Sequence, residues 1–497
     1  MKKILVLFAG TLIFQSAFAQ FPVNYNPALQ PTNQIQYFKP VEKDLFVGDA
    51  MPFSHDGVFY LYWLIDKGHH SALNGYGAHQ WVLSTSTDIV NWKHYPIALG
   101  IDEEWEKSIC TGSVIHANGT YYAFFATRSI QIPEGHKPRD KWDGKREELS
   151  FAISKDGTDF KKMKPNPFFT APAGYDPADF RDPRVFADKE GYHLFISTAQ
   201  LEPGIKGFAG SIAHLQSTDL EHWEVNEPVL TGQEHIPECP DYFNWGEWYY
   251  LVFGQGGATY YVKSISPYGP WEYPRYQALK EPFANVAKTA TFGIGRRLAA
   301  AWIGVREDNK DDGRKLFGGN LVLREVVQHE DGTLGTKFTP ELIPKTGAVL
   351  ELPLALSSTS RGTHENLQVG SANGIGFAHL TKVPHDCRIK MEVEPLGPND
   401  EFGLQLRTKD KAEGGYRLNF SANHQIVEVG NAKIEAVEGL NNTISLDIIM
   451  KDDIIDVDID SRRCIINRCP GQKGDQLWFY AKHGKVHFNS IKVYGLE

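Results

Sequence analysis

The chain has 497 residues, of which 41% are hydrophobic, 12% are aromatic and five are cysteines, and its formal net charge is −10. This length exceeds one ordinary hydrophobic core and predicts more than one domain. The hydrophobic content excludes a disordered chain, and five cysteines are too few for a disulfide scaffold. The negative charge argues against nucleic acid or an anionic membrane as the main partner.

The N-terminus is typical of a secretory signal. Two lysines follow Met1, an apolar run covers residues 4–14, and an Ala-x-Ala site ends at Ala19. A membrane anchor would need about twenty apolar residues, which is more than this run provides. We therefore expect a signal peptide at residues 1–19 with cleavage after Ala19, no membrane insertion, and a secreted or periplasmic protein.

One local pattern, a glycine-containing turn followed by an alternating aromatic strand, occurs five times. Such turns and period-two strands indicate antiparallel hairpins. The five copies are HDGVFYLYW (55–63), ANGTYYAFF (117–125), DKEGYHLFI (188–196), NWGEWYYLVF (244–253) and GIGRRLAAAW (293–302). They predict an all-β fold with a five-bladed β-propeller over residues 20–344. Alternating strands without this motif follow, and they predict a β-sandwich over residues 345–497.

Carboxylates recur in one position of this repeat. In a propeller the innermost strands line a central funnel, so residues shortly before each turn glycine converge on the axis. That position contains Asp49, Thr111, Asp182, Glu238 and Ala287 in the five copies. Three carboxylates that converge repel one another, and folding alone gains nothing from that arrangement. We therefore predict that the three acids form a catalytic site.

Two carboxylates that face one bond are the machinery of glycoside hydrolysis. The third acid, Asp182 beside Arg181, can accept hydrogen bonds from sugar hydroxyls. The sequence has no nucleophile elbow, phosphate loop or HExxH motif. We expect no cofactor and no metal, and we interpret His55 and the pair His69-His70 as solvated loop residues. Cys464 and Cys469 could bridge a hairpin.

Three motifs occur in this order along the chain: Asp49 ahead of DGVFYLYW, then FRDPRVF (180–186), then ECPDYF (238–243). In this the chain resembles glycoside hydrolase family 32, the β-fructofuranosidases, over essentially its whole length after the signal. The resemblance implies release of terminal β-fructofuranosyl residues by a retaining double displacement. It implies that Asp49 is the nucleophile, that Glu238 is the general acid/base, and that Asp182 stabilises the transition state with Arg181 beside it.

The first motif departs from the family pattern. The family usually has W-x-N-D-P-N-G, whereas this chain reads F-V-G-D-A-M-P (46–52), and Leu64 replaces the Gln that normally ends the first inner strand. These changes remove hydrogen-bonding groups from the −1 subsite but keep the three carboxylates. An unusual fructoside, or another furanoside, therefore stays open as the substrate.

We expect an oligo- or polysaccharide to bind at Arg181, Thr111, Trp63 and Trp81, because aromatic rings pack against the apolar faces of sugars. Trp63 lies mid-strand, so a place in the core is an equal alternative for it. An inverting furanosidase or xylosidase, a fructosyltransferase, and a sugar-binding propeller without catalysis also stay open. Carboxyl groups about 5–5.5 Å apart indicate retention, and about 6.5–9.5 Å apart inversion.

Overall fold

The computed structural model describes residues 23–30, 34–130, 145–202, 204, 207–282, 284–409 and 414–497. The predicted signal peptide lies outside these residues. Within them helix is limited to α1 (Ala72–Gly75) and 3-10 turns at Pro27–Leu29, Glu307–Asn309, Pro340–Leu342 and Ala422–His424. A search of the same residues for a helix able to cross a membrane finds none. The all-β prediction is confirmed.

The strands of the N-terminal part are β1 (Leu45–His55), β2 (Val58–Lys67), β3 (Gln80–Ser86), β4 (Lys93–Leu99), β5 (Glu106–Ala117), β6 (Thr120–Ile130), β7 (Lys145–Ser154), β8 (Lys161–Lys162), β9 (Tyr175–Asp188), β10 (Gly191–Gln200), β11 (Gly210–Ser217), β12 (Glu224–Gln233), β13 (Glu238–Trp245), β14 (Trp248–Gln255), β15 (Ala258–Ser264), β16 (Ala284–Phe292), β17 (Arg296–Arg306), β18 (Lys315–Gln328) and β19 (Leu334–Lys337).

These strands form antiparallel sheets in which chain neighbours pair. Three sheets have the orders β5-β6-β7-β8, β12-β11-β10-β9 and β13-β14-β15. A larger sheet has the order β16-β17-β18-β1-β2-β3-β4, with β19 added to β18. In it β1 pairs with β18 at Val47 and Gly319, so that the first strand joins the last unit. Position 319 requires glycine, because a Cβ there would lie 1.9 Å from the carbonyl oxygen of Ile303.

Five strands, β1, β5, β9, β13 and β16, contact one another in this order, and β16 contacts β1. They therefore close a ring. Each has a register shift at the repeat position identified from the sequence, for example between Val47 and Ala50 in β1 and between Glu238 and Asp241 in β13. A bulge leaves a residue unpaired and re-aims its side chain. Asp49, Thr111 and Asp182 fall within these shifts and leave the strand pairing. Glu238 is still paired, opposite Gly254, and borders the shift of β13.

The strands of the C-terminal part are β20 (Thr346–Val349), β21 (Leu354–Leu356), β22 (Ser360–Gly362), β23 (Asn366–Leu380), β24 (Cys387–Pro395), β25 (Glu401–Thr408), β26 (Tyr416–Ser421), β27 (Ile426–Val429), β28 (Ala432–Ile434), β29 (Ile444–Lys451), β30 (Ile454–Ile459), β31 (Arg463–Arg468) and β32 (Gln476–Leu496).

The long strand β32 joins two wings of this second part. Its first half pairs with β25, which continues into β26-β27-β28, and its second half pairs with β24, which continues into β29-β30-β31. The side chains between the wings form one apolar cluster. Cys464 and Cys469 are buried free thiols, so they form no hairpin bridge. The domain boundary at 344/345, which falls between β19 and β20, stays a prediction.

A buried ion-pair network links the two parts. The Arg324 guanidinium on β18 contacts Glu281 at 2.9 Å and Asp456 on β30 at 2.7 Å. The Tyr37 hydroxyl donates to the same Asp456 carboxylate at 2.7 Å. Removing the cation would leave two buried carboxylates uncompensated, which is far more costly than losing an exposed pair.

We expect Arg324→Met to lower the free energy of unfolding by about 3–5 kcal/mol, because Glu281 and Asp456 would lose their shared counter-charge. The matched control is Arg314→Met, since Arg314 is 74% exposed and pairs with Glu307. The control should change stability by less than about 1 kcal/mol. Urea unfolding of both variants measures the difference, and equal losses would contradict the assigned role.

Candidate active site

The three predicted acids meet at one end of the ring axis. Asp49 and Asp182 lie within the bulges of β1 and β9, Glu238 begins β13 and borders its bulge, and all three line a cavity of about 200 Å³. Asp182 and its neighbour Cys239 have φ angles of 54° and 50°. Such left-handed conformations cost energy in residues other than glycine and persist only where surrounding structure holds them. The convergence therefore depends on the bulged ring.

Asp49 is held by one hydrogen bond on each carboxylate oxygen. Thr111 donates from Oγ1 to Oδ2 at 2.6 Å, and Trp302 donates from Nε1 to Oδ1 at 2.7 Å. The side chain is nearly buried, and the two donors fix the orientation of its carboxylate. Thr111 lines the cavity as the sequence predicted, but its hydroxyl is used to orient Asp49.

The Cys239 thiol lies between the carboxylates of Asp49 and Asp182. The Cys239 backbone N–H donates to Asp182 Oδ2 at 3.0 Å, and Cys239 Sγ lies 3.6 Å from both Asp49 Oδ2 and Asp182 Oδ2. Burial raises the pKa of Asp182 to about 7, Arg181 opposes this shift, and the neighbouring carboxylates of Asp49 and Glu147 add to it. Burial and both aspartates also raise the pKa of the Cys239 thiol well above its ordinary value. Cys239 is therefore a protonated neighbour of the acids and not a nucleophile.

Arg181 connects the acids at the mouth of the cavity. Its guanidinium contacts Glu238 Oε1 at 3.1 Å and Glu147 Oε2 at 3.0 Å, and it also pairs with Asp179. The Glu238 side chain is 46% exposed, in contrast to the buried aspartates. Arg181 thus holds Glu238, the most exposed of the three predicted acids, at the mouth of the cavity.

Glu147 is a fourth carboxylate of the site that the sequence did not reveal. Its other oxygen accepts two hydrogen bonds from Arg128, at 2.6 and 2.9 Å. Burial raises the pKa of Glu147, but Arg181 and Arg128 outweigh burial and leave this pKa below its ordinary value. With Arg181 and Glu238, these two residues line a wider outer cavity of about 530 Å³.

The prediction that Trp63 and Trp81 bind substrate is wrong. Both indoles are fully buried and present no ring face to a ligand. Trp63 packs edge-on against Tyr25 and Phe38, and Trp81 donates from Nε1 to the carbonyl of Cys110 at 2.8 Å. The alternating pattern that placed them on strands was informative, but it did not distinguish the core face from the pocket.

His69 and His70 are also not merely solvated loop residues. The His69 ring stacks on Phe46 with centroids 3.9 Å apart, and its Nδ1 meets the Phe317 carbonyl at 2.8 Å. His70 lines both cavities, and Arg128 Nη1 donates to its Nε2 at 2.7 Å. Gly75, at the end of the short helix α1, also lines the outer cavity of about 530 Å³, so residues 70–75 form one of its sides.

Asp66, His70 and His79 bring potential metal-ligand atoms within 4.8 Å of one another. Their hydrogen bonds do not suit a cation. An arginine can only donate, so His70 Nε2 must accept, and in the neutral ring its Nδ1 then carries the proton. His79 Nε2 meets Asp66 Oδ1 at 3.0 Å. Burial lowers the pKa of His79, but the hydrogen bond with Asp66 outweighs it and raises this pKa to about 9.

The sequence identifies other residues of the site only in part or not at all. Trp302 is the last residue of the fifth repeat, but nothing in the repeat indicates that it reaches Asp49. The fifth axial position was assigned to Ala287, whereas the structure brings Asn285 and Val286 of the same bulge to the cavity. Phe317, from β18, completes the wall beside Leu64.

The model of the glycosyl hydrolases family 32 N-terminal domain matches residues 49–334. Sucrose-6-phosphate hydrolase of Escherichia coli is 26% identical in an alignment of 286 residues that covers 54% of this chain and 57% of that protein. Levanase of Bacillus sp. (strain L7) is 24% identical in an alignment of 469 residues that covers 84% of this chain and 48% of that protein. The chain thus spans about half the length of these curated relatives.

A solved structure extends the likeness to both parts of the fold. A variant of fructan 1-exohydrolase IIa from Cichorium intybus, in complex with 1-kestose, superimposes with a TM-score of 0.68 at 15% identity. The alignment covers 95% of this chain and 98% of that one. The matched residues 49–334 contain all three acids on the ring axis. This chain belongs to glycosyl hydrolase family 32.

Proposed function

We propose that this protein hydrolyses the glycosidic bond of terminal β-fructofuranosyl residues by a retaining double displacement. The observation that carries the proposal is the convergence of three carboxylates on one cavity with different environments. Asp49 is nearly buried and doubly hydrogen-bonded, Asp182 is buried beside Arg181, and Glu238 is 46% exposed at the rim. These environments suit a nucleophile, a stabiliser and a proton carrier respectively.

In the first step an Asp49 oxygen attacks the anomeric carbon while the bond to the leaving oxygen breaks and Glu238 gives that oxygen its proton. The product is a glycosyl ester on Asp49. In the second step Glu238 removes a proton from water, the water oxygen bonds to the anomeric carbon, and the Asp49 carboxylate departs. Thr111 and Trp302 orient that carboxylate and stabilise its charge when it leaves.

Both steps pass through a state with positive charge on the sugar ring. Asp182 lies next to Asp49 on the other side of the Cys239 thiol. There it can accept hydrogen bonds from the ring hydroxyls and stabilise the positive charge on the sugar. The presence of all three acids argues against a propeller that only binds sugar. The relatives named levanase and fructan exohydrolase support a fructan or fructoside as the oligo- or polysaccharide substrate.

The proposal extends to architecture and location. A five-bladed propeller over residues 20–344 is supported by the ring of β1, β5, β9, β13 and β16, each of which begins its own antiparallel unit. Export to the periplasm or the medium is supported by the basic start, the apolar run and the Ala-x-Ala site of residues 1–19.

Asp49→Asn should lower kcat roughly 10⁴-fold or more, because the amide cannot form the glycosyl ester. Glu238→Gln should lower kcat by about 10²–10⁴-fold for substrates that need leaving-group protonation. The matched control is Glu224→Gln on the exposed edge of β12, which should retain activity. Rates are measured with sucrose and an aryl fructofuranoside on variants whose thermal unfolding matches the wild type. Undiminished turnover in either catalytic variant would refute the assignment.

Asp182→Asn should stabilise the protein increasingly as pH rises from 4 to 8. The pKa of Asp182 is about 7 in the folded chain, above its ordinary value, so the folded state favours the protonated acid. The stability from that proton is complete at low pH and is lost as pH rises through about 7. The variant's advantage should reach up to about 4 kcal/mol at pH 8. Urea midpoints at pH 4, 6 and 8 measure it, and a pH-independent difference would contradict the assigned environment.

Incubation with sucrose, inulin, levan and aryl furanosides should release a free furanose, and early ¹H NMR spectra should show the β-anomer before mutarotation. Retention requires the Asp49 and Glu238 carboxyl groups about 5–5.5 Å apart in the complex. The α-anomer as first product would overturn the retaining step and favour the inverting alternative. Growth of oligomers at high sucrose concentration would instead identify a fructosyltransferase.

A further inference from the structure

Among the residues that the structure describes, one side of the catalytic cavity is lined by hydrocarbon side chains. Leu64 and Phe317 line the cavity on the two strands that flank β1 in the sheet, and Gly48 precedes Asp49 on β1 itself. We call these three residues the apolar wall. A Cβ on Gly48 would lie 3.1 Å from both Leu64 Cβ and Phe317 Cε1. The glycine is not in a left-handed conformation, so it is the volume filled by Leu64 and Phe317 that leaves no room for a side chain there.

His70 and His79 also line the cavity beside this wall, and each already has a hydrogen-bond partner, Arg128 and Asp66 respectively. Leu64 lies within the β2–β3 pairing opposite Trp81, and the Phe317 carbonyl meets His69 Nδ1 at 2.8 Å. The Phe317 ring is stacked on His79, with centroids 5.2 Å apart and an interplanar angle of 18°. His79 in turn is hydrogen-bonded to Asp66. A sugar hydroxyl pointing at the wall would therefore find carbon and not a partner.

Elsewhere the cavity is lined by charged side chains. Arg181, Glu147, Asp182 and Glu238 line it with charged donors and acceptors. A furanose has hydroxyl groups on several sides, and those facing these residues can be hydrogen-bonded. Leaving one buried hydroxyl unpaired weakens binding by roughly 5- to 150-fold, whereas a C–H group at the same place loses nothing.

From this asymmetry we infer that the −1 subsite selects a furanosyl residue that presents carbon, and not a hydroxyl, to the apolar wall. The preferred glycone is a deoxygenated relative of the fructofuranosyl residue, with one hydroxyl fewer on the side of Gly48, Leu64 and Phe317. This inference rests on the proposed function, because it assumes that the glycone is bound between the three acids.

The test uses the full chain and five aryl β-fructofuranosides: the parent compound and four analogues, each lacking the hydroxyl at C1, C3, C4 or C6. One analogue should keep or exceed the kcat/KM of the parent, and the other three should lose at least about tenfold, since their hydroxyls face paired groups. Losses of tenfold or more for all four analogues would overturn the inference, as would equal kcat/KM for all four. No cleavage of any compound would instead refute the proposed function.

A substitution in the wall locates the effect. Leu64→Gln adds an amide beside the wall, so the ratio of kcat/KM for the parent to that for the tolerated analogue should rise about tenfold. Leu64→Met keeps the wall apolar and should keep this ratio near the wild-type value, whatever its absolute rate. An unchanged ratio in Leu64→Gln would contradict the role of the wall. The wild-type comparison stands by itself if the glutamine variant does not fold.

Discussion

The guanidinium of Arg181 is the contact on which the catalytic cavity depends. Asp182, Glu238, Glu147 and Asp179 all lie against it, so four carboxyl groups share one central cation. Carboxylates this close cannot all stay ionised without such a partner. Arg128 supplies the second positive charge through Glu147. The bulge that puts Arg181 and Asp182 side by side therefore determines both the geometry and the charge balance of the site.

The three acids differ more in their surroundings than in their residue type. The two aspartates lie deep in the cavity, one with a donor on each oxygen and one with a pKa near neutrality, and the glutamate extends toward solvent. The Cys239 thiol between the aspartates contributes a neutral group where a third charge would be costly. The burial of each acid thus sets which one contacts solvent and which ones are enclosed by protein.

The sequence was sufficient for features that repeat along the chain. Asp49, Asp182 and Glu238 were identifiable because each precedes a turn glycine at similar spacing, and a repeated spacing becomes a shared place in the ring. Glu147 and Arg128 have no such register, since they meet through the pairing of β6 with β7. Trp63 and Trp81 were assigned to the pocket from ring chemistry alone, and alternation along a strand does not say which neighbour covers which face.

The pairing of β1 with β18 also has consequences for how the protein is made. Asp49 is synthesised early, whereas its hydrogen-bond donor Trp302 follows 253 residues later. The ring cannot close before β18 has left the ribosome, and long-range strand pairing of this kind is slow to form. Until then the inner strands have unpaired edges and exposed aromatic faces, the state in which aggregation competes with folding. The catalytic cavity is thus among the last features of its domain to be completed.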